Sequence, residues 1–352
     1  MVEMKSPVES EITEALPFEV LRKTWQPVAN SAQLPEGTIR EYRLLSTDLF
    51  VARLGGKLLA AKNACPHKGA KFGIGKVNGR GRLQCPYHGW EFEASGACAH
   101  MPSVEKQISS TLERGSLQTF AVKERYGMVW VRLDAEELAP LPEVPEFENA
   151  EWTYEVAEPM VFDAGYRREI ENYLDMSHFA FAHGNSLGKA ASPLVPELQV
   201  DQFDDGFRMI APFPALESPS EAPGKLQEAH LRTQRCFLPN FTTIRQRFND
   251  GDERVLVHIP SPNDPERCTV FWSLAISPNF RGPAPEKQIE FAIGVLNEDR
   301  LMCENQVPRE VPVNPSRGGW GVLVTPADTL ANTFQKTFRR FLQKYLAAKK
   351  TA

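Results

Sequence analysis

Cys65-Pro66-His67 and, further on, Cys85-Pro86-Tyr87-His88 each place one thiol and one imidazole on a short segment. Together they offer two sulfur and two nitrogen donors. That set suits a [2Fe–2S] cluster with Cys₂ on one iron and His₂ on the other. A structural Cys₂His₂ zinc site uses the same four atoms, so the donor set alone leaves zinc open. Zinc modules usually pair Cys with Cys and His with His, and the mixed halves here point to the cluster instead.

A second set of candidates lies beyond position 165. Asn172, Asp175 and His178 are spaced three apart, and His183 follows His178 by five. Tyr166 to Ala182 contains no Gly or Pro, so it reads as one helix beginning after Gly165, with those three residues stacked on one face. A regular helix would turn His183 about 140° away from His178. Gly184 marks the helix end, and a distorted last turn could bring His183 back. Two imidazoles and one carboxylate make the 2-His-1-carboxylate triad that binds Fe(II) and leaves positions open for O₂. Either histidine alone is equally a hydrogen-bonded core residue. Beside the Cys/His loops in one chain, the string reads as a second metal site.

The elements around the first motif are strands. Leu49 to Leu54 and Lys57 to Ala61 bracket Gly55-Gly56, a two-residue hairpin signal. Arg82 to Gln84 and Trp90 to Glu93 flank the second loop, and Thr119 to Glu124 and Met128 to Leu133 pair around Gly127. A small antiparallel unit of this kind can hold ligand loops rigid. Gly73-Ile74-Gly75-Lys76 lacks the spacing and following helix of a phosphate loop, and reads as loop chemistry beside the cluster. Further along, Arg254 to Ile259 and Cys268 to Ile276 read as strands. Thr325-Pro326-Ala327-Asp328 reads as a capped start to a terminal helix whose apolar face runs Leu330, Phe334, Phe338, Phe341, Leu342, Tyr345. His230 and His258 fall outside any ligand spacing and read as structural or pocket-lining.

The chain has 352 residues, enough for two domains with substantial cores. Ala135 to Ala150 is rich in Glu and Pro and reads as a linker. The division expected is therefore an N-terminal segment 1–19, a cluster domain 20–136 and a second metal domain 137–352. The class is α+β: a small antiparallel β domain, then an antiparallel sheet flanked by helices. A net charge of −5, with 42 % hydrophobic and 24 % charged residues, gives no reason to expect nucleic acid or membrane partners. Met1 to Leu16 lacks the basic start and apolar stretch of an export signal, so a cytoplasmic setting is expected. Cys98, Cys236, Cys268 and Cys303 are scattered and read as reduced packing thiols. One local asymmetry is basic: Lys62, Lys68, Lys71, Lys76, Arg80 and Arg82, with no acidic residue between 62 and 84. Such a patch can steer an acidic electron-donor protein toward the cluster.

Cys65, His67, Cys85 and His88, with Glu171-Asn172-x₂-Asp175-x₂-His178-x₄-His183, resemble the oxygenase components of the Rieske non-haem iron oxygenases. The resemblance covers nearly the whole chain. Glu124 to Asp134, Ser177 to Phe181 and Cys85 to Trp90 are most similar to the N-demethylases acting on methylxanthines such as caffeine. It implies that Cys65, His67, Cys85 and His88 hold a Rieske cluster, and that His178 and His183 hold a mononuclear Fe(II). It also implies a third ligand in Glu298-Asp299-x₄-Glu304-x-Gln306. Pattern alone does not choose among Glu298, Asp299 and Glu304; the resemblance assigns Asp299. By the same resemblance Asn172 belongs to the catalytic site, and Asp175 bridges His88 of one subunit to His178 of its neighbour in a head-to-tail homotrimer. Lys68 departs from the Arg common after the first cluster His, which alters local contacts but not ligation.

The implied reaction is monooxygenation of a methyl group on a small methylated heterocyclic or aromatic substrate. N- or O-demethylation with release of formaldehyde follows; ring hydroxylation or cis-dihydroxylation is the alternative. No strand–GxGxxG–helix unit is present, so electrons from NAD(P)H should arrive through a separate reductase or ferredoxin. The pocket is expected from residues 203–244 and 289–296.

Overall fold

The computed structural model describes residues 12–184, 186, 193–211, 229–248, 251–313 and 323–351. Contacts divide these into two units, residues 21–141, and residues 12–20 with 142–351. The division falls at Leu141/Pro142, and residues 12–20 join the later unit rather than standing apart. Glu14 accepts the Val313 N–H at 3.0 Å, and Glu19, in α1 (Leu16–Leu21), accepts the Tyr345 O–H at 2.9 Å.

The first unit carries β1 (Gln26–Asn30), β2 (Ile39–Leu44), β3 (Thr47–Leu54), β4 (Lys57–Lys62), β5 (Lys76–Val77), β6 (Leu83–Gln84), β7 (Glu91–Phe92), β8 (Cys98–His100), β9 (Thr119–Arg125) and β10 (Met128–Arg132), with α2 (Ser109–Arg114). Among the described residues, six strands form an antiparallel sheet in the order β1-β10-β9-β4-β3-β2, and β5 to β8 form a small second sheet. The hairpin predicted at Gly55-Gly56 is present, with φ of 59° and 75°, and so is the Tyr126-Gly127 turn, with 58° and 70°. Two successive left-handed residues match the right-handed twist of the flanking strands. Leu45-Ser46 makes a third such turn, φ 48° and 59°, which no Gly announced. Phe50, Phe72, Leu83 and Phe92 pack with Cys65 and Cys85 in one core cluster, so the thiols are anchored from within.

The second unit is built on β11 (Thr153–Val156), β12 (Met160–Phe162), β13 (Gln199–Phe203), β14 (Gly206–Ala211), β15 (Ala229–Phe237), β16 (Phe241–Phe248), β17 (Glu253–Asp264) and β18 (Arg267–Ile276). The order is β11-β18-β17-β16-β15-β14-β13, with β12 pairing further along β18, and every pairing is antiparallel. Among the described residues its later helices are α3 (Tyr166–Leu174), α4 (Phe179–Ala182), α5 (Pro285–Glu304) and α6 (Thr329–Thr351). α3 packs on β17, α5 on β11 and β18, and α6 on β14 and α3. α6 begins as read from sequence: Thr325 and Asp328 form a capping box around a 3-10 turn at Pro326–Asp328. Leu330, Phe334, Phe338, Leu342 and Tyr345 are buried. Truncating a buried Phe on that stripe would cost about 3–5 kcal/mol.

One expectation is corrected. Tyr166 to Ala182 is not a single helix. α3 ends at Leu174, Asp175 is extended with ψ 140°, and α4 starts anew after His178. The cause is local. Asp175 Oδ1 accepts both the N–H and the O–H of Ser177, each at 2.8 Å. A short acidic side chain bonding the backbone two residues on competes with the helix ladder and ends it. The Asp-x-Ser spacing carries that signal in the sequence.

Candidate metal centres

The first centre is made of two loops that turn alike. The Cys65 N–H donates to Ala70 O at 2.8 Å, and the Gly69 N–H to Cys65 O at 2.8 Å. In the second loop Cys85 N–H donates to Trp90 O at 2.8 Å, and Gly89 N–H to Cys85 O at 3.1 Å. Gly69 and Gly89 sit at φ of 72° and 71°, a conformation that favours glycine. The shared pattern is Cys-Pro-x-x-Gly, and the two glycines are functional residues that the ligand spacing alone did not bring out.

The thiols are buried, at 3 % exposure for Cys65 and 2 % for Cys85, while both imidazoles sit further out. The His67 and His88 rings lie 4.5 Å apart, and His67 stacks flat on Trp90 at 4.7 Å. Burial, reinforced by the neighbouring Cys85 thiol, pushes Cys65 up to about 12. A metal is what would draw such a thiol into its thiolate form. Burial, with His88 and Lys68 alongside, lowers His67, which favours the neutral form that ligates. Its Nδ1 is buried without a hydrogen-bond partner. A buried nitrogen left unsatisfied is costly unless it serves as a ligand. An inner pair of thiols and an outer pair of imidazoles fit a two-iron core better than one zinc ion.

The second centre draws on α3, α4 and α5. His178 Nε2, His183 Nε2 and Asp299 Oδ1 converge, at separations of 3.1, 3.3 and 3.2 Å. An ion taking donors at about 2.1 Å with angles of 90–109° spaces them about 3.0–3.4 Å apart. The three residues could thus hold one metal ion. Each imidazole has a carboxylate at its far nitrogen. Asp175 Oδ2 lies 3.1 Å from His178 Nδ1, and Glu298 Oε2 lies 2.9 Å from His183 Nδ1. Asn172 donates to Asp299 Oδ1 at 2.8 Å.

The electrostatics follow. Burial alone would raise Asp299, but hydrogen bonds from His178, His183 and Asn172 hold it well below the usual carboxylate range. Burial would lower His178, yet the bonds to Asp175 and Asp299 raise it to about 9. Glu304, the third candidate for the late ligand, turns elsewhere and accepts the Asp163 N–H at 3.0 Å.

Comparison with known proteins shows the family to which the chain belongs. Residues 24–121 match the Rieske [2Fe-2S] domain, and residues 162–348 match the vanillate O-demethylase oxygenase C-terminal domain. The chain is a Rieske non-haem iron oxygenase. It is 30 % identical to methylxanthine N1-demethylase NdmA of Pseudomonas putida over 84 % of each chain. With methylxanthine N3-demethylase NdmB of the same organism it shares 30 % identity over 83 % of each. The solved structure of NdmA with caffeine superposes with a TM-score of 0.76 at 26 % identity, covering 93 % of this chain and 96 % of that one.

As a member of that family the oxygenase uses a Rieske [2Fe–2S] cluster and a mononuclear iron, and its mixed antiparallel sheets and helices are the expected α+β class. Other sequence candidates have separate roles. His258 is buried, bonded to the buried Glu169 at 2.5 Å and stacked on Tyr173 at 3.7 Å. It anchors α3 to the sheet. The His230 side chain lies outside the described residues. All six cysteines are buried free thiols. The basic patch is thinner than its sequence. Lys71 pairs with Asp48 at 3.5 Å, and Arg80 and Arg82 both face Glu91. Lys62, Lys68 and Lys76 remain as exposed cations. Among the described residues no helix is long and apolar enough to cross a membrane.

Proposed function

We propose that this oxygenase oxidatively demethylates a small N-methylated heterocycle, or a methoxylated aromatic, releasing formaldehyde. The observation that carries this reading is the convergence of His178, His183 and Asp299 on one point in a chain related along most of its length to two N-demethylases. When bound, the cluster supplies single electrons and the mononuclear iron activates O₂. Cys65, His67, Cys85 and His88 hold the cluster within residues 20–136; His178, His183 and Asp299 hold the iron within residues 137–352. Asn172 fixes the Asp299 carboxylate by donating its amide N–H. Asp175 accepts the Nδ1 proton of His178, leaving Nε2 free to ligate, and in a head-to-tail trimer it would also bond a neighbour's His88.

A separate reductase or ferredoxin using NAD(P)H would feed the cluster, its approach favoured by Lys62, Lys68 and Lys76. Cys98, Cys236, Cys268 and Cys303, buried thiols outside the cluster, fit a reducing, cytoplasmic setting. Residues 203–244, of which 212–228 lie outside the described residues, and 289–296 are proposed to line the pocket. The test is turnover of the reconstituted protein with a surrogate reductase, NADH and O₂ on methylated purines and methoxybenzoates. Formaldehyde in step with the demethylated product is expected. A hydroxylated ring or cis-diol without formaldehyde would replace this reading with ring oxidation.

A further inference from the structure

We infer that Glu298 is the positioning residue of His183, and that the mononuclear centre is gripped by two carboxylate–serine clamps, one for each imidazole. This rests on the assignment of His178, His183 and Asp299 as the iron ligands. A neutral imidazole carries one N–H. For Nε2 to ligate, that proton must sit on Nδ1 and needs an acceptor there. His183 is only 1 % exposed, so water is poorly placed to serve. Glu298 Oε2 accepts from His183 Nδ1 at 2.9 Å, and the same oxygen accepts the Ser186 O–H at 2.5 Å. On the other ring, Asp175 Oδ2 takes the His178 proton at 3.1 Å while its Oδ1 takes the N–H and O–H of Ser177, each at 2.8 Å.

The geometry also tells against Glu298 as the iron ligand itself. It meets His183 at Nδ1, on the side of the ring away from Nε2, where the other two donors gather. Consecutive residues on a helix point about 100° apart, so Glu298 and Asp299 cannot both face that point from α5. The longer side chain reaches round the ring, and the shorter one meets its ligating edge. One turn of α5 thus supplies both a ligand and the carboxylate that orients another. An Asp at 298 would be one methylene too short to make the contact.

The test measures Co(II) affinity and the Co(II) ligand-field spectrum in wild type and in Glu298→Ala, Glu298→Gln, Glu298→Asp, Ser186→Ala and Asp299→Ala. Cluster EPR and circular dichroism serve as folding controls. Glu298→Ala should weaken Co(II) binding about 10- to 100-fold and shift the ligand-field bands, with the cluster signal unchanged. Glu298→Gln, which keeps an acceptor oxygen without the charge, should fall between, and Glu298→Asp should resemble the alanine variant. Wild-type affinity and bands in Glu298→Ala would overturn this inference alone. So would complete loss of binding in Glu298→Gln with binding retained in Asp299→Ala, because Glu298 would then be the ligand. If wild type bound no Co(II), or Asp299→Ala bound it equally well, the ligand assignment itself would fall and take the inference with it.

Discussion

Acidifying the protein should expel the mononuclear metal well before the chain unfolds, and the site sets the scale. Without a metal, the His178 imidazole is raised to about 9. Burial opposes that, but Asp175 and Asp299 hold the proton from either side. His183 is raised too, against its own burial, by Asp299 and then Glu298. The two Nε2 atoms lie 3.1 Å apart, so both rings cannot be cationic at once without strong repulsion. One proton is therefore shared, and a ligating metal must displace it. The sign is clear: the proton is bound without the metal and released on binding, so affinity rises with pH up to about 9 and levels off above it. At pH 7, two units lower, the apparent affinity should be reduced about 100-fold, or about 3 kcal/mol at about 1.4 kcal/mol per unit. Anaerobic Co(II) or Fe(II) titration from pH 6 to 9.5 would measure the slope. Calorimetry in two buffers of different ionisation enthalpy would count the proton. Asp175→Asn should flatten the dependence by removing one of the two carboxylates. Equal affinity at pH 6.5 and 9 with no proton released would refute the reasoning.

Other expectations follow from the same geometry. Asp299→Ala should keep the Rieske EPR signal but lose the mononuclear metal and with it formaldehyde production, as metal analysis and turnover would show. Asp175→Ala should retain both metals yet nearly abolish single-turnover product formation, measured after chemical reduction of the cluster. Gly69→Ala, with φ 72° and open space around a new Cβ, should cost about 1–2 kcal/mol in denaturant melts. Gly75→Ala should do more, because its Cβ would sit 2.9 Å from the carbonyl oxygens of both Phe72 and Gln84. The cluster EPR should broaden as the loop wall shifts. Charge reversal at Lys68 and Lys76 together should slow reduction by an acidic donor at low salt and have little effect at high salt, as stopped-flow bleaching would report.

The two metal centres differ in how far their sequences disclose them, and the difference is physical. The cluster loops are local. Each Cys-Pro-x-x-Gly segment carries its thiol, its imidazole and the left-handed glycine that closes its turn within six residues, so spacing alone exposes the site. Hairpin turns are equally local, and Gly55-Gly56 and Tyr126-Gly127 were readable, whereas Leu45-Ser46 adopts the same conformation because β2 and β3 pair around it. The proposed iron site is assembled from distant parts. Asp299 meets the histidines only because α5 packs on β11 and β18 while α3 packs on β17. No periodicity along α5 separates Asp299 from Glu298, since both acidic side chains there are compatible with a solvated face.

The broken helix bears directly on the proposed iron site. A continuous helix from Tyr166 to Ala182 would carry His178 and His183 to different faces. Asp175 ends α3 by bonding Ser177, and the separate turn that follows closes at His183, whose backbone leaves helical values at φ −100° and ψ 30°, with both Nε2 atoms on one side. The same carboxylate then uses its second oxygen to orient His178. Helix termination and ligand orientation are thus one interaction seen from two ends. A residue at 175 that stopped the helix without offering a second acceptor oxygen would place His183 correctly and leave His178 in the wrong tautomer.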